Sequence, residues 1–431
     1  MDFNIIKITK ELEHYFDRLW PINRSITGAG FRESLDILSE IIPADRLKFE
    51  TGSRVLDWTV PMEWSVKDAY FIDPDGQKHA EFKKNNLHLV GYSIPFSGKL
   101  SLDEFKKHLF SLPENPDAIP YVTSYYKESW GFCLAHHELE ALPQGEYEIN
   151  IETELKPGWV EVGEVVIPGQ SNQEIFFSAN LCHPSLANNE LSGPLVLSFL
   201  YRTIKAMSSR NYTYRFVLLP EGIGSVCYLS KMGEHLTRHM IAGYVLTCLG
   251  DNENFTYKIS RQENSIADRA AQIVLRDYGK HRTVDFFPGG GDEKHYCSPG
   301  YDLPVGSLMR AMFGEFKEYH TSLDNKSFIR FESLAESIKL LMDIVNVIEN
   351  NKKWNATVIH GQPQLGKRGL YPKISSVSYG KILEDKVYAM LWMLNYSDGK
   401  HDLITIAEKS KYNIQLLIEA SKELEVANLL R

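Results

Sequence analysis

The sequence is poor in sulfur chemistry. Its five cysteines, Cys133, Cys182, Cys227, Cys248 and Cys297, are odd in number and widely spaced, and none forms a C-x-x-C pair. That pattern argues against a disulfide framework and a structural zinc knuckle and suits a reducing compartment. An excess of positive charge is also missing. Lys and Arg number 47 against 56 Asp and Glu, a net charge of −9, so no overall field gathers phosphates and a general nucleic-acid binder is disfavoured. No apolar run approaches the roughly 20 residues of a membrane span. Met1-Asp2-Phe3-Asn4 leads into a charged amphipathic stretch and not into an apolar signal segment, so a cytoplasmic protein with no membrane partner is expected. Internal repeats and low-complexity tracts are absent. What remains is an ordinary globular composition, 43% hydrophobic and 24% charged over 431 residues, for which two to three domains are expected.

Residues 4–20 carry Ile5, Ile8, Leu12, Phe16 and Leu19 at helical spacing, and Phe31 to Ile42 reads as a second helix ended by Pro43. Between them lies Arg24, a substrate-binding or a structural residue. From about Thr51 the chain turns β-rich and dense in Trp and Tyr. Val55–Pro61, Ala69–Ile72, Leu87–Tyr92, Pro120–Tyr126, Gly131–Leu134 and Tyr147–Ile151 look like strands, with turns at Asp73-Pro74-Asp75-Gly76 and Phe96-Ser97-Gly98. This block, 51–156, is too long for a loop and reads as a domain inserted into the first one. Beyond it, strand candidates at Gly163–Gly169, Glu174–Ser178, Thr213–Leu219 and Gly243–Leu249 alternate with helix-like runs at Leu195–Ser208, Val226–Thr237 and Ile266–Tyr278. Alternation of this kind predicts a three-layer α/β sheet with mostly parallel strands, closed by an amphipathic helix over Ser327–Asn350. Residues 1–50 and 157–355 would form this domain. A linker-like stretch follows, and 366–431 reads as helix, turn, short helix, turn, helix, a winged-helix pattern.

The chemistry concentrates in four polar loops at or after strand ends, where open α/β sheets bring side chains together. His183 and Asn189-Glu190 follow the strand ending at Ser178. Glu221 follows Thr213–Leu219. Asp292-Glu293 lie in a glycine-rich loop, Pro288 to Gly300, and Tyr319-His320 precede the closing helix. Two histidines with several carboxylates are the ligand set of a catalytic zinc site, which holds an open position for water. Arg310 could grip a substrate carboxylate bidentately, or form a buried ion pair. Tyr319 or Tyr296 could donate to a developing oxyanion.

These segments resemble the co-catalytic zinc aminopeptidases of the phosphorylase/hydrolase-like α/β fold. More closely, nearly the whole chain resembles a family of aminopeptidase-like proteins associated with polysaccharide biosynthesis, candidate zinc aminopeptidases with a nested β-rich domain and a winged-helix tail. Pro21-Ile22-Asn23-Arg24, Asp57-Trp58-Thr59-Val60-Pro61, His183-Pro184-Ser185, Gly291-Asp292-Glu293 and Tyr319-His320-Thr321-Ser322 carry that resemblance. It implies a zinc-exopeptidase-like core and two zinc seats, with His183 on one and His320 on the other. The chain departs at three places. Asn189 stands where an aspartate would bridge the ions, Pro220-Glu221 supplies one acid where two are usual, and Thr247 replaces a carboxylate. One zinc is therefore expected, held by ligands drawn from His183, Glu190, Glu221 and His320, and a second is disfavoured.

The expected function is a zinc-dependent aminopeptidase or amidohydrolase that cleaves a small peptide or amide by metal-activated water, with Glu221, Asp292 or Glu293 as general base. The rival is a catalytically impaired relative that binds zinc or a ligand and acts through its winged helix. For that tail, residues 367–431 hold ten Lys or Arg and eight Asp or Glu, a net of +2 (10 − 8). Its last helix carries Glu419, Glu423 and Glu425 beside Lys422, which favours a protein partner or self-association over DNA.

Overall fold

A computed structural model describes residues 5–370 and 380–431, without the side chains of 380–384. The first four residues and the last part of the expected linker lie outside the described residues. Compact packing divides the chain into two units. The first runs through Ser265 and adds Arg282–Lys339. The second comprises Ile266–His281 and Leu340–Arg431.

A mixed eight-stranded sheet organises the first unit. Its strands are β1 (Asp45–Glu50), β2 (Trp159–Ile167), β3 (Glu174–Asn180), β4 (Thr213–Leu219), β5 (Met240–Leu246), β6 (Phe255–Lys258), β7 (His281–Val284) and β8 (Val305–Met309). Their order is β1-β2-β4-β3-β5-β8-β6-β7. The expectation of a mostly parallel sheet needs amending. β4, β3, β5 and β8 are parallel, whereas β1/β2, β2/β4 and β6/β8 pair antiparallel.

The helices of eight or more residues are α1 (Ile5–Leu19), α2 (Ala29–Leu38), α3 (Ser192–Lys205), α4 (Ile223–His239), α5 (Ile266–Tyr278) and α6 (Phe331–Asn350), then α7 (Gly380–Tyr396), α8 (Leu403–Ser410) and α9 (Ile414–Val426). Alternation along β3 gives the three layers directly. Phe177 meets Phe216 and Tyr244, and Phe216 in turn meets Tyr201 of α3. On the other face, Phe176 and Val217 pack with Tyr228, Leu229 and Leu236 of α4. Both faces are covered, which is why β3 reads as a nearly unbroken apolar run.

Between β1 and β2 lies the β-rich stretch. Its four-stranded antiparallel sheet contains Glu63–Ile72, Lys78–His79, Glu146–Lys156 and Phe96–Ser101. Phe96–Ser101, expected as a turn at Phe96-Ser97-Gly98, is a full strand. Leu87–Tyr92 and Pro120–Tyr126, expected as strands, make only a 3-10 turn and isolated bridges. Most of its large aromatics are core, although Tyr126 and Phe110 are exposed. Trp64, Phe71, Phe105 and Phe132 share one hydrophobic cluster with Val160 of β2 and Ile223, Val226 and Cys227 of α4.

In the second unit α8 and α9 form the expected helix-turn-helix. Asn413 caps α9 by accepting from the Gln415 N–H, and Asp402 caps α8. The first of the two turns, expected at Asp398-Gly399, belongs to a strand, Asp398–Asp402, paired with Lys353–Asn355 from the supposed linker. Three residues are too few for a periodic signal. Glu423 of α9 pairs with Lys386, and Glu425 accepts from both Lys352 and the Trp354 indole. No helix among the described residues is long and apolar enough to cross a membrane.

Candidate functional site

The parallel register of β3 and β4 builds the site. Asn180 stands opposite Leu219, and the Leu181 N–H donates to the Leu219 carbonyl. The chain then leaves both strands at the same edge, so His183, three residues on, meets Glu221, two residues on. The His183 Nε2 lies 3.5 Å from the Glu221 Oε2. Gly222, at φ +71°, turns the chain sharply into α4. Gly193 lets α3 start close to β5, because a Cβ there would stand 2.3 Å from the Leu246 carbonyl oxygen.

Glu190 lies behind His183. Its Oε2 is 3.0 Å from the His183 Nδ1, and its Oε1 accepts the His183 backbone N–H at 2.8 Å and that of Cys182. This carboxylate fixes the imidazole and leaves Nε2 free to face outward, the usual arrangement behind a ligating histidine. Cys182, His183 and Glu190 form the one cluster among the described residues whose potential ligand atoms all lie within 4.8 Å of one another. Two of them nevertheless support and do not face the site. The Cys182 sulfur sits 3.2 Å from Nδ1 and accepts the Glu221 N–H, and burial pushes its thiol up to about 12. Burial opposes charge on His183, but the Cys182 sulfur and Glu190 outweigh it and hold the imidazole well above its usual range. Arg24, fully buried, donates through Nε and Nη2 to the His183 carbonyl and through Nη1 to that of Leu19. It therefore has the structural role of the two considered.

His320 arrives from the far side. Its ring centroid is 5.3 Å from that of His183, well inside the ~10 Å that a shared or paired cation centre requires. Tyr319 stacks on it at 4.0 Å and 11°. The His320 Nε2 is buried without a hydrogen-bond partner, as are Asn189 Oδ1 and Asp292 Oδ2. Burial first, with His183 adding to it, lowers the His320 pKa to about 3, so the ring is neutral and its lone pair is available. A buried, unpartnered nitrogen on a neutral imidazole is what an ion would satisfy. The His183–Glu221 gap also suits two donors on one tetrahedral zinc, which stand roughly 3.4 Å apart. The residues present fit the group.

The remaining expected acids are differently placed. Asp292 is fully buried behind Glu221. Its Oδ1 accepts from the Gly222 N–H at 2.8 Å and the Ser225 hydroxyl at 3.0 Å. Burial, then the Glu221 charge, raises its pKa to about 8. Glu293 has 0% side-chain exposure and is locked to Lys258 Nζ at 2.6 Å and to the Ser307 hydroxyl at 2.8 Å. Neither presents a free carboxylate to a substrate. Glu221 does, with a side chain 32% exposed.

The expected substrate groups divide. Tyr319 lines the site. Tyr296 is sealed in the core, where its hydroxyl meets the Ser178 hydroxyl at 3.0 Å. Arg310 lies over the Phe255 ring and donates to the Glu253 and Ser333 carbonyls and to Glu336. The structure does not bring it to the histidines.

Sequence reasoning missed two participants. Asp324 accepts the Asn188 and Asn189 backbone N–H groups at 2.7 and 2.9 Å and so caps the π-helical turn Ala187–Leu191 that carries Glu190. Its place four residues after His320 was the available signal. Tyr121, from the β-rich stretch, packs on both imidazoles at 4.7 and 5.3 Å. Nothing in its sequence setting pointed there. Thr247, where a carboxylate was expected, spends its hydroxyl on the Asn189 carbonyl at 3.0 Å.

Fold and site together define an aminopeptidase-like α/β protein with a C-terminal winged helix. The chain belongs to the family described as a domain of unknown function (DUF4910), which matches residues 13–351, and a winged helix-turn-helix family matches residues 352–431. A Clostridium acetobutylicum protein described as a candidate polysaccharide biosynthesis protein with an aminopeptidase-like domain is 40% identical over 422 residues, covering 98% of this chain and 96% of its own. The crystal structure of a candidate peptidase from the same organism matches with a TM-score of 0.92 at 38% identity, covering 99% and 97% of the two chains. A zinc aminopeptidase from Bacillus subtilis shares the fold at a TM-score of 0.58 and 12% identity, over 80% of this chain and 95% of that one. The resemblance read from the sequence holds for both family and architecture.

Proposed function

We propose that this chain is a zinc-dependent hydrolase of the aminopeptidase or amidohydrolase type, acting on a small peptide or amide in the cytoplasm. The observations that support it most are the His183 Nε2 lying 3.5 Å from the Glu221 carboxylate and the His320 imidazole, its Nε2 unpartnered, standing 5.3 Å from that of His183, centroid to centroid. These three residues would hold a single ion. Zinc bound there supplies Lewis-acid polarisation of a scissile carbonyl and a nucleophile at neutral pH.

The chain's own groups do the rest. Glu190 orients His183. Glu221 is the carboxylate placed to take a proton at its second oxygen and pass it to the leaving amine. Burial first, then the nearby carboxylates, hold the Tyr319 hydroxyl far above its usual range, so it keeps its proton and can donate to a developing oxyanion.

Elemental analysis of the purified protein should find about one zinc per chain, with the ion lost in His183→Ala. A panel of aminoacyl-arylamides and N-acylated amino sugars should reveal turnover that falls ~100-fold or more in Glu221→Gln. Zinc-free wild-type protein, or turnover indifferent to Glu221, would refute the proposal. A second reading, a binding relative without turnover, draws on Asn189 and Thr247, whose neutral groups leave a second seat short of charge. Stoichiometric zinc with no turnover on the whole panel would favour it.

A further inference from the structure

His320 adopts φ +53°, a left-handed conformation that a side chain with a Cβ rarely takes. Such a residue persists only where its surroundings over-determine it. Here the constraint comes from the β-rich stretch. The Tyr121 N–H donates to the His320 carbonyl at 2.7 Å, and the Ser322 N–H to the Ile119 carbonyl at 2.9 Å. The Ile119 N–H returns a bond to the Ser322 hydroxyl at 3.0 Å, Pro120 and Thr321 form an antiparallel bridge, and the Asn115 amide donates to the Lys317 carbonyl at 2.9 Å. Residues 115–121 thus add a short edge to the loop that carries His320, almost 200 residues away in the chain.

The same segment touches the imidazoles themselves. The Tyr121 ring lies 4.7 Å from His183, tilted by 46°, and 5.3 Å from His320 at 88°. Its hydroxyl is tied to the Tyr125 hydroxyl at 2.7 Å. Tyr125 packs on Tyr92, whose hydroxyl meets that of Thr27 at 2.6 Å. The ring is therefore held from behind while its edge and face set the gap between the two histidines.

We propose that the β-rich stretch completes the metal centre: residues 115–121 hold the His320 loop, and Tyr121 is a positioning residue that fixes the spacing and tilt of the two imidazoles. The function of this stretch is then to build the site, not to open or close it. The inference rests on the metal reading above and assigns Tyr121 no contact with substrate.

The test is a titration of the full-length apoprotein with Co²⁺ alone, followed by calorimetry and by the visible ligand-field spectrum. Tyr121→Phe keeps the ring and its contacts with both imidazoles and loses only the tie to Tyr125, so its affinity should stay within about tenfold of wild type and above that of Tyr121→Ala, with the wild-type spectrum. Tyr121→Ala, with unchanged far-ultraviolet circular dichroism, should bind about 10–100-fold more weakly, as when other outer contacts to ligating histidines are removed, and should show an altered spectrum. A folded Tyr121→Ala with wild-type affinity and spectrum overturns the proposal. Should that variant fail to fold, Ser322→Ala removes only the bond from the Ile119 N–H. About threefold or more weaker binding is then expected, and unchanged binding overturns the proposal in the same way. A wild type that takes up no Co²⁺ overturns the metal reading and this inference together, whereas wild-type uptake with an indifferent Tyr121 sinks this inference alone.

Discussion

At the scale of single residues the account turns on which atoms face the ion and which stand behind. Glu190 bonds Nδ1 of His183 and two backbone N–H groups, so Glu190→Gln should leave every proposed ligand in place and still weaken zinc about 10–100-fold by competition with a chelating dye. His320→Ala should lose more than that, because a ligand is removed. Asp292 tests the electrostatics. An aspartate raised to about 8 in the fold keeps its proton there and gives it up on unfolding, where the pKa is about 3.9. Its contribution is fully present below about pH 4 and is lost as pH rises toward about 8. Urea unfolding of the metal-free protein at pH 5 and pH 8 should therefore show wild type losing more stability across that interval than Asp292→Asn. Equal losses would show that this carboxyl is ionised in the fold.

At the scale of elements the glycine-rich loop Pro288–Gly300 is the instructive case. Its sequence looks like a flexible turn with two free acids. In the structure Lys258, at the end of β6, is fully buried and donates to Glu293 at 2.6 Å and to the Gly289 carbonyl at 2.7 Å, with the Phe287 ring 3.6 Å away. Lys258→Met would strand a buried carboxylate, a loss of about 3–5 kcal/mol readable by chemical denaturation, and the proposed zinc site should loosen with the loop. β6 is four residues long, too short to show its period, so this brace was invisible in the sequence. β3 and β4 are seven residues long and mainly apolar and were legible, and with them the edge where His183 and Glu221 emerge. Phe96–Ser101 was misread because Ser97 and Gly98 carry turn chemistry, while its strand state is set by pairing with Glu146–Lys156. Tyr121 and Asp324 reach the site through tertiary contacts that no local pattern encodes.

For the whole molecule, two families join in one chain, and the charge of the tail limits what it does. Within the winged-helix unit Glu423 and Glu425 are spent on Lys386, Lys352 and Trp354, so α9 presents no clustered basic face. Binding to duplex DNA should stay within the nonspecific range of about 10⁻⁴–10⁻⁶ M at physiological salt. A much tighter, steeply salt-dependent complex would give the tail a nucleic-acid role in place of the protein contacts proposed for it. The central claim concerns the other unit, and the most direct measurement of it is an anomalous difference map from zinc-loaded crystals, recorded at the zinc edge. The account predicts one strong peak about 2.0–2.1 Å from the Nε2 atoms of both His183 and His320, with Glu221 beside it. A map with no peak between the two rings, or with its peak on the Cys182 sulfur and the Nδ1 side of His183, would contradict it.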